Sequence, residues 1–382
     1  MNVLIRDLFP PLSAEARRVP AELPAALDAV LPLKAAHRRD LPLAVRELSA
    51  RLTCERGGHE RPYWSSPRSA SAYLRYFLPW NLLRLIRLLS ALDLPVPSAS
   101  AAQRDLLLDI GSGPLTLPLA LWSAKPEWRD LPLEVACLDT SPKALAWGSA
   151  LFAHLAGENS PWRILPLRAD IHETARAVRG RRPLVISAVN VLNELKAERP
   201  AAFAEQAARL LHPQGALLCV EPGTRLGAKL VQGLRDASLA LGLAPVSPCP
   251  HVRPCPLRGT RRWCHFSLDA DGAPARLTQL TREAGLIKKD LHLSFVLLQH
   301  GNAPVCRDAA SGSPSGAGGK LEARVISAPF KIPGEEHPAR YACSAWGLLL
   351  LTRAADAPSG ALVEVRRPAR PRRDEHSGAW IV

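Results

Sequence analysis

The chain has 382 residues, 47% of them hydrophobic, and a formal net charge of +14. That length buries one large core or two smaller ones, and the charge favours an anionic partner, RNA first, over an ordinary basic enzyme. Eight cysteines are too sparse for a secreted disulfide scaffold, no apolar run nears the roughly 20 residues of a membrane span, and Asp7, Glu15 and Glu22 argue against a transit peptide, so a cytoplasmic protein without a membrane partner is expected.

Residues 1–100 read as a helical N-terminal region. Leu23, Leu27, Val30 and Leu31 recur at helical spacing, as do Leu41, Val45, Leu48 and Leu52. Pro32 should end the first helix, while Asp40 should cap the second with Pro42 in its first turn. From Tyr73 to Leu89 an apolar face is interspersed with Arg75, Arg84 and Arg87. Pro79 should break this pattern or start its second helix. Pro95–Ala102 is a linker.

From residue 101 to 246 short apolar runs alternate with helical ones. Leu106–Ile110, Leu133–Asp139, Arg163–Leu167, Leu184–Val189 and Ala216–Val220 are strand-like. That rhythm predicts an α/β, doubly wound, Rossmann-like parallel sheet. Residues 306–320 read as a loop, with strands to follow at Arg324–Ile326 and Tyr341–Thr352. The tail from 354 to 382, with arginines from Arg366 to Arg373, reads as basic and disordered.

The first strand runs into Asp109-Ile-Gly111-Ser-Gly113-Pro. Glycines there let the backbone approach a ligand closely. The third glycine of the dinucleotide fingerprint is replaced by Thr116, and no Gly-Lys-Ser/Thr follows. The D-x-G-x-G form resembles motif I of the S-adenosylmethionine-dependent methyltransferases. Asp139 after the second strand suits the ribose hydroxyls, and Asp170 after the third falls where that family often contacts adenine. After the fourth strand, Asn193 and Glu194 are candidates for substrate contact or for helix capping. The Asn/Asp-Pro-Pro-Tyr of base-amine methyltransferases and the cysteine nucleophile of cytosine-C5 enzymes are both absent.

Between residues 249 and 264 lie Cys249, His251, Cys255 and Cys264 with Arg253, Arg258, Arg261 and Arg262, and no acid. The spacing excludes a C-x-x-C zinc ribbon and the C-x-x-x-C-x-x-C of radical enzymes. It suits a cluster held by loops, with Cys343 or Cys306 as fourth ligand. With His251 or His265 as ligands, zinc becomes the metal.

Pro248-Cys249-Pro-His251, Cys255-Pro-Leu257, Trp263-Cys264-His265-Phe266, Val220-Glu221-Pro-Gly-Thr224, Asn193-Glu194-Leu195 and Ala323-Arg324-Val-Ile326 together resemble the methyltransferase-like family of mitochondrial small-ribosomal-subunit assembly factors and their bacterial relatives. The likeness covers roughly residues 70–352. It implies a methyltransferase-like fold, a [4Fe–4S] cluster held by Cys249, Cys255, Cys264 and Cys343, and association with small-subunit rRNA. Residues 247–353 would then be a cysteine-rich iron–sulfur extension that turns Arg253, Arg258, Arg261 and Arg262 toward RNA phosphates. The expectation is an S-adenosyl-L-methionine-binding, cluster-containing protein acting on the small ribosomal subunit. Its alternatives are an active rRNA methyltransferase with a structural cluster, and a zinc-containing RNA-interaction protein without the cofactor.

Overall fold

Alternating side chains on a parallel strand face opposite layers, so a strand apolar on both faces needs helices on both sides. The computed structural model describes residues 3–54, 64, 66–100, 102–194, 199–301, 319–333, 336–352 and 357–382, and it shows this three-layer solution. In chain order the elements are β1 (Val3–Arg6), α1 (Ala14–Val30), α2 (Ala35–Cys54), α3 (Pro67–Ala72), α4 (Leu78–Ala91), β2 (Asp105–Ile110), α5 (Thr116–Ala124), β3 (Leu133–Asp139), α6 (Pro142–Ala156), β4 (Arg163–Arg168), α7 (Thr174–Val178), β5 (Val185–Val189) and α8 (Arg199–Leu210). There follow β6 (Ala216–Pro222), α9 (Arg225–Ala240), β7 (Leu243–Ser247), β8 (Phe266–Asp269), α10 (Ala275–Glu283), β9 (Asp290–His300), β10 (Lys320–Val325), β11 (Arg340–Ser344), β12 (Gly347–Leu351), β13 (Leu362–Arg366), β14 (Arg372–Arg373) and β15 (Trp380–Ile381).

The central sheet runs β4-β3-β2-β5-β6-β9-β7, with β8 added on β9. The pairs from β4 to β6 are parallel, whereas β9 is antiparallel to β6, β7 and β8. The order reverses between β2 and β5, the place where open α/β sheets bind ligands. This is the doubly wound, methyltransferase-like α/β sheet expected from the sequence. On β2, Leu107 packs into the core that contains Leu82, Leu119 and Leu151. Its neighbours Leu106, Leu108 and Ile110 join Phe203, Ala207 and Leu234 on the other side.

α4 is buried almost all round. Leu82, Leu83, Leu85, Ile86, Leu88 and Leu89 are each 1% exposed or less, each worth about 1.5–3 kcal/mol of burial. A helix so enclosed has no solvent face for its arginines. A π-helical turn, Tyr73–Phe77, joins α3 to α4 and places Pro79 in the first turn of α4, where its missing N–H matters least.

The helical N-terminus differs from its sequence reading in two respects. α2 starts at Ala35 rather than at an Asp40 cap, so Pro42 lies inside it. Asp40 is instead ion-paired with Arg68. And the chain opens on a strand, β1.

β1 belongs to a second sheet, ordered β1-β13-β10-β11-β12-β15-β14. The expectation of a disordered tail from 354 to 382 is therefore corrected. Val363 and Val365 pair with β10 and are each 1% exposed, and β15 adds in parallel to β12. A few apolar residues among many arginines sufficed, because a ready sheet supplied the backbone partners. The expected strand Tyr341–Thr352 is a hairpin of β11 and β12, turning at Ser344–Gly347. One face of this sheet joins the main core through Cys343, Leu348 and Leu350, while Ala323, Val325, Leu349, Leu351 and Val363 form a smaller core. The expected loop at 306–320 lies almost wholly outside the described residues, Cys306 with it. No helix among the described residues is long and apolar enough to cross a membrane.

Candidate functional site

Two cavities contain the aspartates and glycines of the expected cofactor site and four of the cysteines singled out from the sequence. The first, of about 250 Å³, opens at the carboxyl ends of β2, β3, β4 and β5. Asp109, Gly111, Gly113, Asp139 and Asp170 all line it, with Tyr73, Thr116 and Asn190.

Its floor is the turn from β2 into α5. Gly111 and Gly113 have φ of 66° and 52°, the left-handed region that glycine tolerates. A Cβ at Gly111 would lie 2.0 Å from Val191 Cγ2. A larger residue there strikes the loop after β5 before it blocks a ligand. At Gly148, on α6, a Cβ would meet the Pro114 carbonyl carbon at 2.4 Å, so that glycine lets α6 press on the turn. The turn is fixed to the sheet by Ser112 N–H, which donates to Leu138 O at 2.8 Å.

Asp109 is buried beneath the turn. The register sets it beside Ser187 on β5, whose hydroxyl donates to Oδ1 at 2.7 Å, while the Ser112 hydroxyl donates to Oδ2. Burial pushes its pKa up to about 7 against these two bonds. Asp139 is also raised, by burial first, while the N–H groups of Ser141 (2.7 Å) and Gly113 (2.8 Å) hold its two oxygens. Asp170 is exposed at the mouth.

The wall after β5 departs from expectation. Asn193 does not line the cavity, and Glu194 ends a 3-10 turn with its side chain outside the described residues. Asn190 lines it instead, at φ 57°. Behind it lies Arg84 of α4, fully buried, which donates to Asn190 Oδ1 (3.1 Å), Asn81 Oδ1 (3.0 Å) and His292 O (3.0 Å). A guanidinium only donates, so the Asn190 amide oxygen is the atom that accepts from Arg84, and its second lone pair is not used by that bond. Buried Glu221 on β6 completes the support, its Oε1 accepting from Val191 N–H (3.0 Å) and Leu192 N–H (2.8 Å). Burial lowers the Arg84 pKa to about 10, opposed by the negative charge of the Glu221 carboxylate.

The second cavity lies where α9, β9 and the second sheet meet. Cys249, Cys255, Cys264 and Cys343 all line it, with Arg235 and Arg324. Three thiols come from the loop after β7 and one from β11. Burial raises the pKa of Cys255, Cys264 and Cys343, and the neighbouring thiols raise it further. Four soft donors at one cavity are the side-chain type that soft metals take. Among the described residues, no set of three or more His, Cys, Asp and Glu side chains is arranged to hold a single metal ion. His251 is buried, with Nε2 3.3 Å from Cys343 Sγ, whereas His265 does not line the cavity and contacts the Trp263 carbonyl at 3.2 Å.

Two arginines missed by the sequence reading hold this loop. Arg235 donates to the carbonyls of His251 (3.1 Å) and Arg253 (2.7 Å), and Arg324 to those of Pro248 (3.0 Å) and Gly360 (2.8 Å). Burial alone would lower the Arg235 pKa, but the neighbouring Cys249 charge raises it overall. The legible signal was position: Arg235 falls among Val231, Leu234 and Ser238 on the buried face of α9.

Of the four arginines expected to face RNA, Arg258 and Arg261 are exposed. Arg253 and Arg262 are half-buried, and Arg262 donates to the Tyr341 hydroxyl at 2.8 Å. A groove of about 660 Å³ lined by Arg225, Lys229, Arg258, Arg262 and Trp263 adjoins the cysteine cavity and shares Cys255 and Cys264 with it. Arg75, Arg84 and Arg87, interspersed along the apolar Tyr73–Leu89 segment, are internal. Arg75 pairs with Asp28 (2.9 Å), and Arg87 bonds Asp269 (2.6 Å) and Phe9 O (3.0 Å).

Residues 67–331 match the family described as mitochondrial small ribosomal subunit Rsm22. The chain belongs to this family. No curated protein matches it. Solved structures similar to it include a precorrin-6y C5,15-methyltransferase from Geobacter metallireducens, at 9% identity over 52% of this chain and 81% of that one, with a TM-score of 0.33. They also include the mitomycin 7-O-methyltransferase MmcR (15% identity, 76% of each chain, TM-score 0.36) and LaPhzM (14%, 69% of this chain and 70% of that one, TM-score 0.38). At such distances the fold class of this Rsm22-family chain rests on its own strand order.

Proposed function

We propose that this Rsm22-family protein binds S-adenosyl-L-methionine in the first cavity and a [4Fe–4S] cluster in the second, and acts on the small ribosomal subunit through its rRNA. The observation that carries the reading is the first cavity itself, a glycine turn and three aspartates at the reversal point of a 3-2-1-4-5 strand order. Asp139 would take the ribose hydroxyls, the Gly111–Gly113 turn the amino-acid moiety, and Asp170 the adenine edge. The family's description supplies the ribosomal partner.

The cysteine cavity fits the cluster by donor chemistry. Four thiolates around a cluster core of charge 2+ carry a net 2−, and Arg235 and Arg324 are the two cations at the same cavity. The cluster would supply structural cross-linking, tying the loop after β7 to the second sheet. Arg258 and Arg261, with the adjoining groove, would then meet RNA phosphates. A ribosome-bearing compartment that keeps thiols reduced, such as the bacterial cytoplasm suggested by the Ala-, Arg- and Pro-rich composition, is its expected place.

Anaerobic purification followed by iron and sulfide analysis, with calorimetry of S-adenosylmethionine, tests both cavities. Iron and sulfide in equal amounts are expected, and Asp139→Ala should weaken the cofactor by about 1.5–3 kcal/mol, the range for hydrogen bonds to a charged group. Stoichiometric zinc without sulfide would remove the cluster from this reading. No heat at millimolar ligand would remove the cofactor.

A further inference from the structure

We propose that the C-terminal ribbon is a second RNA-binding element, in which Arg367 and Arg373 are held on two stacked tryptophans as ready-made phosphate forks. This inference rests on the RNA reading above and extends it to a surface that the sequence left as a disordered tail.

The arrangement is a four-layer stack. Trp346, at the β11–β12 turn, and Trp380, on β15, lie 4.6 Å apart at an interplanar angle of 9°. The Arg367 guanidinium lies 4.6 Å from the Trp346 ring centre, and the Arg373 guanidinium 4.0 Å from that of Trp380. Leu349 on β12 pairs in register with Trp380, so the sheet itself aligns the rings. Both indoles pack against the second sheet's small core, with Leu321, Ala357 and Val382.

A free arginine loses much side-chain freedom when it grips a phosphate, and one already held over an indole has lost part of it beforehand. Stacking uses the face of the guanidinium and leaves its N–H edge for the planar, two-pronged contact that phosphate oxygens accept. Arg373 keeps most of that edge, spending one nitrogen on Gly378 O at 3.1 Å.

The charge around the stack is one-sided. Arg366, Arg367, Arg370, Arg372 and Arg373 fall within eight residues that contain no acid. Of the acids that follow, Asp374 is engaged by the Ser377 N–H (2.8 Å) and hydroxyl. Both residues of β14, the edge strand, are exposed. The ribbon is also joined to the cysteine loop through one sheet. Arg262 of that loop stacks on Tyr341 of β11 at 4.7 Å, and β11, β12 and β15 are neighbours. A single-stranded RNA laid along this sheet would meet both groups of arginines.

The experiment is binding of a fluorescent uridine-rich single-stranded RNA to the full-length, anaerobically purified protein over a series of salt concentrations. Each phosphate contact contributes roughly 0.7 to the slope of log affinity against log salt for single strands. The double variant Arg367→Gln/Arg373→Gln should therefore lower the slope by about 1.4, two contacts' worth. Arg367→Lys/Arg373→Lys should keep the slope and lose several-fold in affinity, because charge remains but the planar fork does not. Should the glutamine variant lose structure, seen as a lower melting temperature, the lysine variant still carries the test through its affinity.

Arg258→Gln/Arg261→Gln is measured beside them. If this loop variant weakens while both ribbon variants match wild type in slope and affinity, the ribbon inference is overturned and the RNA reading stands. If wild-type protein shows no salt-dependent binding at all, both fall together.

Discussion

The two cavities hold buried acids of different kinds, and in each burial disfavours the charged form. In the first, Asp109 sits under the glycine turn with two serine hydroxyls and a pKa of about 7. It can carry its own proton at neutral pH and below. In the second, four thiols from two separate stretches of chain line one cavity between two buried arginines. Three of them are raised by burial and then by one another. The first cavity is built within a single β-α rhythm. The second is a junction, where the loop after β7 meets the second sheet.

The sharpest way to break that contrast is Cys264→Ser. If the cavity holds the proposed cluster, loss of one thiolate should cost the metal and more than about 4 kcal/mol of stability, the class of effect reserved for lost metals and unpaired buried groups. The readout is iron content with soluble yield, against Asp139→Ala, which should fold normally. Equal yield and equal iron in both variants would mean that the cysteine cavity is an ordinary core.

Next in size is Arg84→Met. The methionine would fill much of the space, but Asn190, Asn81 and His292 O would lose their donor, and Glu221 its nearby positive charge. Removing one partner from a buried charged network costs about 3–5 kcal/mol. A fall in the urea midpoint should come with weaker S-adenosylmethionine binding, since Asn190 loses its anchor. Stability lost with affinity intact would mean that Arg84 supports the fold alone and does not position the pocket wall.

How far these features were legible follows from where their partners lie. The sheet, the glycine turn and the aspartates announce themselves locally, because apolar runs of strand length and D-x-G-x-G need only near neighbours. Cys249, Cys255 and Cys264 were visible as a group, whereas Cys343 reaches their cavity only through the pairing of β11 with β10 and β12. Arg84 and Arg87 read as a basic face because the sequence does not reveal that α4 is enclosed on every side. The tail was misread for the opposite reason. Val363 and Val365 are too few to signal a strand alone, but they pair with β10, and β10's partner β11 is fixed by contacts elsewhere. Asn193 was preferred to Asn190 because capping chemistry can be read from sequence and a left-handed backbone cannot.

The smallest expected effect is on pH dependence, and it tests whether Asp109 does carry its own proton. Its folded pKa of about 7 lies above the ordinary unfolded value near 3.9. The folded state therefore holds the proton more tightly. Stability from this group is fully present below about pH 4 and is lost as pH rises through about 7, the reverse of a salt-bridged aspartate. The ceiling on the loss is about 4 kcal/mol, from roughly three pKa units. Asp109→Asn should abolish that slope. The substituted amide exchanges one acceptor for a donor, so one of Ser112 and Ser187 must turn its hydroxyl to accept, at a cost of about 1–3 kcal/mol if it does so poorly. The variant should therefore be somewhat less stable than wild type at pH 4 and more stable by about 2 kcal/mol at pH 8, where wild type bears a buried carboxylate. Denaturation midpoints from pH 4 to 8 read this crossover directly. Parallel curves for the two proteins would show that Asp109 does not change its charge across this range.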